Sequence, residues 1–508
     1  IPGYANRKDA PPWCYLIELA EQLSNFPRHV TQHVGGMIIS STPLTGLMPL
    51  QPAAMQGRVL CQWDKDSCED VRAVKIDFLA LGILSLVEEC MELIAKAGKP
   101  PIDLSRIDFE DKAIYDMIGA GDTIGVFQIE SRAQMSMLPR IKPKCFYDLV
   151  IEVAIVRPGP IQGGMVHPYL NRRQGKEPVT FPSKALEEAL GRTLGVPVFQ
   201  EQVMQISMLA AGFTPGEADQ LRRAMAAWKR KGGLAQYYDK IVNGMTSRGY
   251  QREFAEAIFE QIKGFSEYGF PESHAASFAL LVYASCWIKC HHPAEFLAAM
   301  LNSQPLGFYS ASQLVQDAKR HGVEVRRVDV MSSEWDCTLE GLPHPPAVRL
   351  GLRMVAGLMA ESALRILKAR RERPFDGAED LARRAEVEQH EMTLLAAADA
   401  LMSLAGHRRQ QVWEAAGQRS APQLLKQAPV NEEELELPAA PEGEEVVWDY
   451  AATGLTLRRY PLAILRPVLA KQGWCTAAEL HDLPDGRLAR ACGIVTVRQQ
   501  PETAKGVM

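Results

Sequence analysis

Apolar residues recur at helical spacing over most of the chain. The clearest amphipathic segments are residues 15–26, Ile83–Lys96, Gln200–Ala211 and Gln251–Lys263, where apolar positions return every three or four residues. This pattern predicts long helices over most of residues 81–302.

A different pattern occupies residues 33–80, near the start of the chain. Val34–Ile39 and Val71–Leu79 have the composition of strands, and the turn-rich segment Pro43–Pro52 separates them. Together with the helical remainder, this segment predicts an α+β multidomain protein that is predominantly helical.

The last third of the chain contains a break, a helical unit and an acidic stretch. The proline-rich break at Gly341–Pro346 precedes a compact helical unit over Val348–Arg409. Residues 428–450 hold eight acidic residues and no basic one, which predicts a solvated linker. Leu488–Val497 alternates weakly like a strand.

The composition is that of a folded protein without a membrane span. Of the 508 residues, 47% are hydrophobic and 23% are charged, which excludes wholesale disorder. A chain of this length predicts about three or four domains. The longest apolar run, Ser277–Ile288, is too short to cross a bilayer, and no apolar signal core is seen near Ile1. The 10 cysteines are scattered, which favours reduced thiols and a cytoplasmic location.

Charge is distributed unevenly along the chain. The formal net charge is −5, which excludes a simple basic protein that coats nucleic acid. Residues 131–235, however, carry 15 Lys and Arg against 8 Asp and Glu. A basic region within an acidic chain favours a phosphate-rich ligand.

Lys75 and Asp77 are the most pointed candidates for chemistry. On a strand, residues two apart share one face, and the apolar neighbours Val74, Ile76 and Phe78 share the other. A structural ion pair is one interpretation. The other is a functional site in which Asp77 is one carboxylate ligand of a Mg²⁺ ion that also binds substrate phosphates.

Two further segments carry cations that suit phosphate groups. Arg222 and Arg223 are adjacent on a predicted helix, and Lys229 lies one heptad after Arg222. Arg157 precedes the Pro-Gly-Pro turn that would hold it rigidly. A planar guanidinium suits phosphate oxygens, but a solvated basic helix face and a plain turn are the simpler alternatives.

A helix-hairpin-helix pattern covers Leu350–Arg365, with Gly357 in the hairpin. The hairpin amides and the next helix could hold a DNA phosphate, with Arg365, Lys368 and Arg370 on that helix. An ordinary αα-hairpin with a glycine C-cap is the alternative.

Two other segments have simpler interpretations. His274, at the start of a predicted helix, faces a ligand or packs in the core, and packing is the more common outcome. Cys286 and Cys290 precede two histidines, but their spacing in an apolar helix favours core thiols over a zinc site.

Taken together, seven segments resemble the α-subunit family of bacterial DNA polymerase III, the C family of DNA polymerases. They follow one another in the family's order, which makes the match specific. They are His33-Val-Gly-Gly-Met-Ile-Ile, Val74-Lys-Ile-Asp-Phe-Leu, Gly125-Val-Phe-Gln-Ile-Glu-Ser-Arg, Arg157-Pro-Gly-Pro, Phe199-Gln-Glu-Gln-Val-Met-Gln, Leu221-Arg-Arg-Ala-Met and Ser273-His-Ala-Ala.

Within that family, the chain is more similar to the error-prone, damage-tolerant branch. Phe270-Pro-Glu-Ser-His-Ala-Ala-Ser, His291-His-Pro-Ala-Glu-Phe and Leu404-Ala-Gly-His-Arg-Arg-Gln resemble that branch. Replicative members usually have Asn-Lys where this chain has Pro271-Glu272.

The resemblance implies roles for the candidate residues. Asp77 matches the family's third catalytic carboxylate, a palm ligand of Mg²⁺, and Lys75 matches a catalytic palm lysine near the nucleotide phosphates. The implied nucleotide-binding residues of the fingers are Arg222, Arg223, Arg157 and Lys229. The implied DNA-binding residues of the helix-hairpin-helix are Gly357, Arg365, Lys368 and Arg370.

The resemblance also implies a domain order. We expect the end of the thumb at 1–30, a second palm segment at 31–80, fingers at 81–345 and a helix-hairpin-helix unit at 346–410. An acidic linker follows at 411–450, and a connector with a truncated OB-fold occupies 451–508.

The implied activity is error-prone DNA-directed DNA synthesis with two Mg²⁺ ions, using primer–template DNA and dNTP. A sliding clamp or accessory mutagenesis proteins are indirect partners, and no membrane is involved. The Asp-x-Asp strand, the PHP domain and the Gly-Ser palm motif are not seen, so we expect a fragment that is inactive alone. A replicative α subunit and a non-catalytic DNA-binding fragment are the alternatives.

Overall fold

The computed structural model describes residues 11–24, 33, 35–53, 57–78, 80–157, 160–161, 164–231, 235–264, 270–341, 345–418 and 435–495. The chain divides into two compact units, residues 1–84 and 85–508. Helices dominate and the sheets are small, so the predicted predominantly helical α+β class is confirmed.

In its described residues, the first unit contains two small antiparallel sheets and two α-helices. Its elements are α1 (Trp13–Gln22), β1 (Gly36–Ile39), β2 (Leu50–Pro52), β3 (Val59–Cys61), α2 (Lys65–Asp70) and β4 (Val74–Asp77). Strand β1 pairs with β4, and β2 pairs with β3. The predicted strand around Lys75 is therefore present, although it is shorter than Val71–Leu79.

The helices that follow, up to residue 320, form a helical body. They are α3 (Leu81–Lys96), α4 (Lys112–Gly119), α5 (Arg132–Ile141), α6 (Phe146–Ile155), α7 (Val166–Arg173), α8 (Lys184–Leu190), α9 (Gln200–Leu209), α10 (Pro215–Lys231), α11 (Ala235–Thr246), α12 (Arg252–Gly264), α13 (Glu272–His291), α14 (Pro293–Asn302) and α15 (Ala311–Arg320). Helix α6 packs against α13 and is apolar nearly all round, so its residues from Asp148 onward are buried.

Helix α6 carries two buried acidic residues, and only Asp148 has an ion-pair partner in the described part of the chain, Arg173. Glu152 is fully buried, and among the described residues neither carboxylate oxygen has a hydrogen-bond partner. Burial raises the pKa of Glu152 to about 8, so the carboxyl group is protonated at neutral pH.

The rest of the second unit begins with a three-stranded sheet in the order β5-β7-β6. Its elements are β5 (Val325–Arg326), β6 (Thr338–Glu340), β7 (Ala347–Arg349), α16 (Ala360–Glu372), α17 (Ala378–Arg384), α18 (Gln389–Ala397), α19 (Met402–Ala405), α20 (Arg408–Gly417), α21 (Glu442–Thr453), α22 (Pro461–Lys471) and α23 (Ala477–His481). Helices α18 and α20 pack together as a second helical hairpin, which the sequence analysis did not predict.

The end of the predicted acidic linker is a docked helix. Arg408 is 3% exposed, and its Nη1 donates to the backbone oxygen of Glu445 at 2.8 Å. Arg458 Nη2 bonds both Glu445 Oε2, at 2.9 Å, and Asp399 Oδ2, at 3.1 Å. Residues 442–450 are therefore not solvated coil, because they lie in helix α21 and the carboxylates of Glu445 and Asp449 pair with the buried Arg408. Residues 419–434 lie outside the described part of the chain.

The strand expected at Leu488–Val497 is not found in its described part. Residues 488–495 contain a single bridge, from Ala491 to Cys475, and Leu488 is 98% exposed. A strand needs a paired neighbour, and the described residues of this segment form only that one β-bridge. The rest of the predicted OB-fold start, residues 496–508, is not described. Across the described helices, none has the length and apolar character needed to cross a bilayer.

Candidate functional site

Lys75 and Asp77, the predicted catalytic residues, lie on strand β4. Lys75 is half-buried, whereas Val74 and Ile76 are 58% and 40% exposed. Alternation along the strand therefore separates Lys75 from its apolar neighbours. The side chain of Asp77 lies outside the described residues, so its role as catalytic residue and metal ligand stays a prediction.

Gly35 fixes the end of β4 through a close backbone contact. Phe78 N donates to Gly35 O at 2.8 Å, and a Cβ built on Gly35 would lie 2.3 Å from Phe78 O. No side chain fits there, which explains the glycine in the His33-Val-Gly-Gly segment. Gly35 thus positions the backbone that follows Asp77 directly.

The Asp64-Lys-Asp66 segment does not form a second acidic strand. It begins helix α2, where Asp64 Oδ1 accepts a hydrogen bond from Ser67 N at 2.8 Å. Asp64 is an N-cap, as its spacing to Ser67 favours. On the β1–β4 ladder the chain therefore offers one carboxylate, Asp77, as a metal ligand.

Elsewhere in the described residues, one group has the spacing of metal ligands. Single ligand atoms of Asp122, Asp317 and His321 all lie within 4.8 Å of one another. Lys289 Nζ is 2.8 Å from Asp317 Oδ2 and 3.4 Å from Asp122 Oδ1, so these carboxylates already have a cation. Burial alone would lower the pKa of His321, but the contact with Asp122 outweighs burial and the pKa is raised. The group is a charge-balanced contact.

Arg157 is held in place by residues from other segments. Its Nε donates to Val153 O at 3.1 Å, and its Nη2 donates to Gln128 Oε1. The guanidinium carbon lies 5.0 Å from the centre of the Phe270 ring, in cation–π contact. The Pro158–Gly159 part of the predicted turn lies outside the described residues.

His274 extends this cluster by packing between two aromatic rings. Its ring centre is 5.0 Å from that of Phe270 and 4.3 Å from that of Phe278, both in edge geometry. Burial, and then the charge of Arg157, lower the pKa of His274, so the ring is neutral at neutral pH. Packing, the simpler of its two interpretations, describes its contacts in this structure.

The Phe199-Gln-Glu-Gln segment meets the same place. Gln200 N donates to Phe270 O at 3.2 Å, and Glu201 Oε2 accepts from Glu272 N at 2.9 Å. Glu201 thereby satisfies an amide at the start of α13. Four of the seven resembling segments therefore converge around Arg157.

Arg222 and Arg223 lie on α10 and share one partner. Arg222 donates from Nε and Nη2 to Asp219 Oδ1 at 3.0 and 2.8 Å, and Arg223 Nε donates to Asp219 Oδ2 at 2.9 Å. Their side chains are 39% and 74% exposed. The hydrogen bond from Arg222 holds the pKa of Asp219 below its usual value. The side chain of Lys229 lies outside the described residues.

Arg370 makes internal contacts. Its Nη1 donates to the backbone oxygens of Val330 and Ser333 at 3.0 and 2.6 Å, and its Nη2 donates to Glu334 Oε1 at 2.6 Å. The side chain is 13% exposed. These contacts favour a structural role, and DNA binding by Arg370 stays a prediction.

Arg365 resembles Arg370 in this respect. Its guanidinium donates to the backbone oxygens of Ala385 and Glu386 at 3.1 and 3.2 Å, and it pairs with Glu391 Oε2 at 3.2 Å. Lys368, one turn further along α16, is exposed. Arg365 is engaged by these internal partners although its side chain is 38% exposed, and DNA binding by both residues stays a prediction.

The hairpin at Gly357 contacts two helices, α18 through Leu394 and α21 through Ala452. Gly357 has a φ of +83°, which favours glycine, and a Cβ there would touch Leu394 Cδ1 at 3.4 Å. The preceding amide, Ala356 N, donates to Ala452 O of α21 at 2.8 Å. The hairpin amides were predicted to hold a DNA phosphate, and this one is bonded to α21 instead. Close approach of DNA at Gly357 itself stays a prediction.

Two residues of the candidate site were missed by the sequence analysis. Asp219 stands three and four residues before Arg222 and Arg223, a spacing that places all three on one helix face and was readable. Gln128 accepts a hydrogen bond from Arg157, and its backbone has a φ of +63°, which no sequence pattern predicts.

Three family models match the chain. The bacterial DNA polymerase III alpha NTPase domain matches residues 6–80, and the bacterial DNA polymerase III alpha subunit finger domain matches residues 83–249. A helix-hairpin-helix motif matches residues 322–411.

Curated relatives agree with these matches. The error-prone DNA polymerase of Bordetella bronchiseptica is 58% identical over 494 residues, which cover 97% of this chain and 47% of the relative. Those of Burkholderia pseudomallei and Methylococcus capsulatus are 56% and 52% identical, with 97% of this chain and 48% and 49% of the relative covered. This chain spans about half the length of the curated relatives it matches. It belongs to the bacterial DNA polymerase III α-subunit family, and within that family to the error-prone branch.

Proposed function

We propose that this chain supplies part of the palm, the fingers and the duplex-binding module of an error-prone, DNA-templated DNA polymerase. The reaction is transfer of a deoxynucleotidyl group from a dNTP to a primer 3′-hydroxyl. The observation that carries the proposal is that four family segments meet around Arg157 and Phe270, in a chain whose curated relatives are named error-prone DNA polymerases.

The fingers would bind the triphosphate of the incoming nucleotide. Arg222 and Arg223 present guanidinium groups on α10 that are 39% and 74% exposed, and forked N–H donors suit phosphate oxygens. Arg157 would bind phosphate from its fixed position beside Phe270. Lys229 would add a further cation on the same helix.

The palm ladder would supply one carboxylate and one cation. Asp77 would be one oxygen ligand of Mg²⁺, with Lys75 near the nucleotide phosphates. When bound, two Mg²⁺ ions supply activation of the 3′-hydroxyl and neutralisation of the leaving phosphate. One carboxylate is fewer than two ions need, so we expect the 508 residues alone to bind DNA without extending it.

The helix-hairpin-helix module would hold the duplex without reading its sequence. Lys368 and Arg371 are exposed cations on α16, and contact with phosphates is independent of sequence. We propose the palm segment at 31–80, the fingers at 81–345 and the helix-hairpin-helix unit at 346–410, with the clamp and accessory proteins as indirect partners.

Primer extension tests the polymerase proposal. A chimera in which this chain replaces the matching half of the Bordetella bronchiseptica polymerase should extend a primer with Mg²⁺, and Asp77→Asn should abolish extension. Fluorescence anisotropy should show that the 508-residue chain binds a labelled primer–template. Robust extension by the 508-residue chain alone, or an active Asp77→Asn chimera, would contradict the palm assignment.

A further inference from the structure

A single carboxylate holds both of the adjacent fingers arginines. Asp219 Oδ1 accepts two hydrogen bonds from Arg222, and Asp219 Oδ2 accepts one from Arg223, all at 2.8 to 3.0 Å. Each oxygen therefore serves one guanidinium, and the two cations are fixed side by side on α10.

The contacts use one edge of each guanidinium and leave the other edge open. A guanidinium has five N–H donors, in two forked edges. Asp219 takes the Nε edge of both arginines, and among the described residues the Nη1 of Arg222 and both Nη groups of Arg223 have no protein acceptor. Two adjacent guanidiniums repel each other, and the shared carboxylate offsets that repulsion.

The stability of these ion pairs does not account for such an arrangement. Pairs of this kind at i,i+3 and i,i+4 on a helix surface stabilise a fold only slightly, because water screens them and side-chain entropy opposes them. Their larger effect is on orientation, since a guanidinium anchored at Nε loses less rotational freedom when its Nη groups bind a phosphate.

We propose that Asp219 is a positioning residue for the incoming nucleotide. It holds Arg222 and Arg223 so that their Nη edges face a triphosphate together. This rests on the proposed function, in which these arginines bind dNTP, and adds a residue to which no role has been assigned. Asp219 itself does not touch the nucleotide.

Nucleotide binding to the full 508-residue chain tests this, because the pair is already formed in it. Equilibrium dialysis with radiolabelled dATP, primer–template DNA and Mg²⁺ gives the Kd for dATP. Asp219→Ala should raise that Kd by about tenfold, the size expected when oriented contacts lose their alignment. Asp219→Asn keeps one acceptor oxygen, so its Kd for dATP should lie between that of the unchanged chain and that of Asp219→Ala.

Glu217→Gln is the matched control. Glu217 lies on the same helix and is half-buried like Asp219, but its carboxylate accepts from Lys240 and the Thr214 amide, not from an arginine. Glu217→Gln removes one negative charge, as Asp219→Ala does, and should leave the Kd for dATP within about twofold of that of the unchanged chain. Neither variant should change the Kd for DNA, and both should unfold at nearly the same temperature as the unchanged chain.

The arginine variants separate this proposal from the proposed function. If Arg222→Ala and Arg223→Ala raise the Kd for dATP while Asp219→Ala does not, the positioning role is wrong and the function stands. A lower Kd in Asp219→Ala also overturns it, because Asp219 would then compete with the triphosphate. If the arginine variants change only DNA binding, or the chain binds no dATP, both proposals fall.

Discussion

Replacing Gly35 with alanine should displace strand β4 of the β1–β4 ladder with the smallest possible change in side chain. The new Cβ would lie 2.3 Å from the carbonyl oxygen of Phe78 and 3.2 Å from its carbonyl carbon. Carbon and oxygen atoms do not approach that closely, and a backbone carbonyl cannot rotate away as the end of a side chain can. Strand β4 must therefore shift by roughly 1 Å at Phe78, next to Asp77.

That shift gives the expected magnitude. A misplacement of about 1 Å in an active site costs on the order of a hundredfold in rate, because reacting groups must be aligned to within a fraction of that distance. We expect Gly35→Ala to lower kcat for primer extension by about a hundredfold in the chimera described above. The Kd for primer–template DNA should change little.

Gly46→Ala is the matched control for this experiment. Gly46 lies in the same unit, and a Cβ built on it meets no atom within 4 Å. The same chemical change should therefore leave kcat within about twofold. If Gly35→Ala retained full kcat, the Gly35–Phe78 contact would not set the position of Asp77, and the assignment of the β1–β4 ladder to the active site would lose its geometric support.

The remaining predictions concern the second unit. Arg370→Ala should destabilise it by about 2–4 kcal/mol in thermal or urea unfolding, since Glu334 and two backbone oxygens lose their donor. Lys368→Gln should leave stability unchanged, but it should flatten the slope of log K for DNA binding against log salt concentration by about one unit. The reverse result would exchange the roles of the two residues. Glu152 has a pKa raised from 4.5 to about 8, so unfolding releases its proton and stability should fall as pH rises from about 4.5 to about 8. Glu152→Gln should raise the melting temperature at pH 8 more than at pH 5, and an equal effect at both would contradict a protonated Glu152.

The sequence predicted those elements whose pattern is local. The strand around Lys75 and the helix that carries Arg222 were readable because alternation and helical spacing extend over neighbouring residues. The role of Arg370 was not readable, because its acceptors, Val330 and Ser333, lie 40 and 37 residues away in the chain. A basic residue on a helix looks the same whether it faces DNA or a distant carbonyl.

The acidic segment shows the same limit from the opposite side. Eight acids without a base predict a solvated linker only if no cation comes to them from elsewhere. Arg408 is such a cation, and it pairs with Glu445 although it lies 37 residues earlier in the chain. The candidate site followed the same rule, since the Asp219 pairs were close in sequence and the Gln128–Arg157 contact was not.

The buried contacts of Arg408 bear on how such polymerases exchange parts during evolution. The helix-hairpin-helix match ends at residue 411, yet Arg408 depends on Glu445, and Arg458 connects Glu445 to Asp399. A recombination junction between 411 and 442 would join Arg408 to a foreign helix. Unless that helix brought the same carboxylates, a guanidinium would remain buried without a counter-charge. Viable exchange between relatives should therefore favour junctions after residue 458, so that the module and α21 are inherited together.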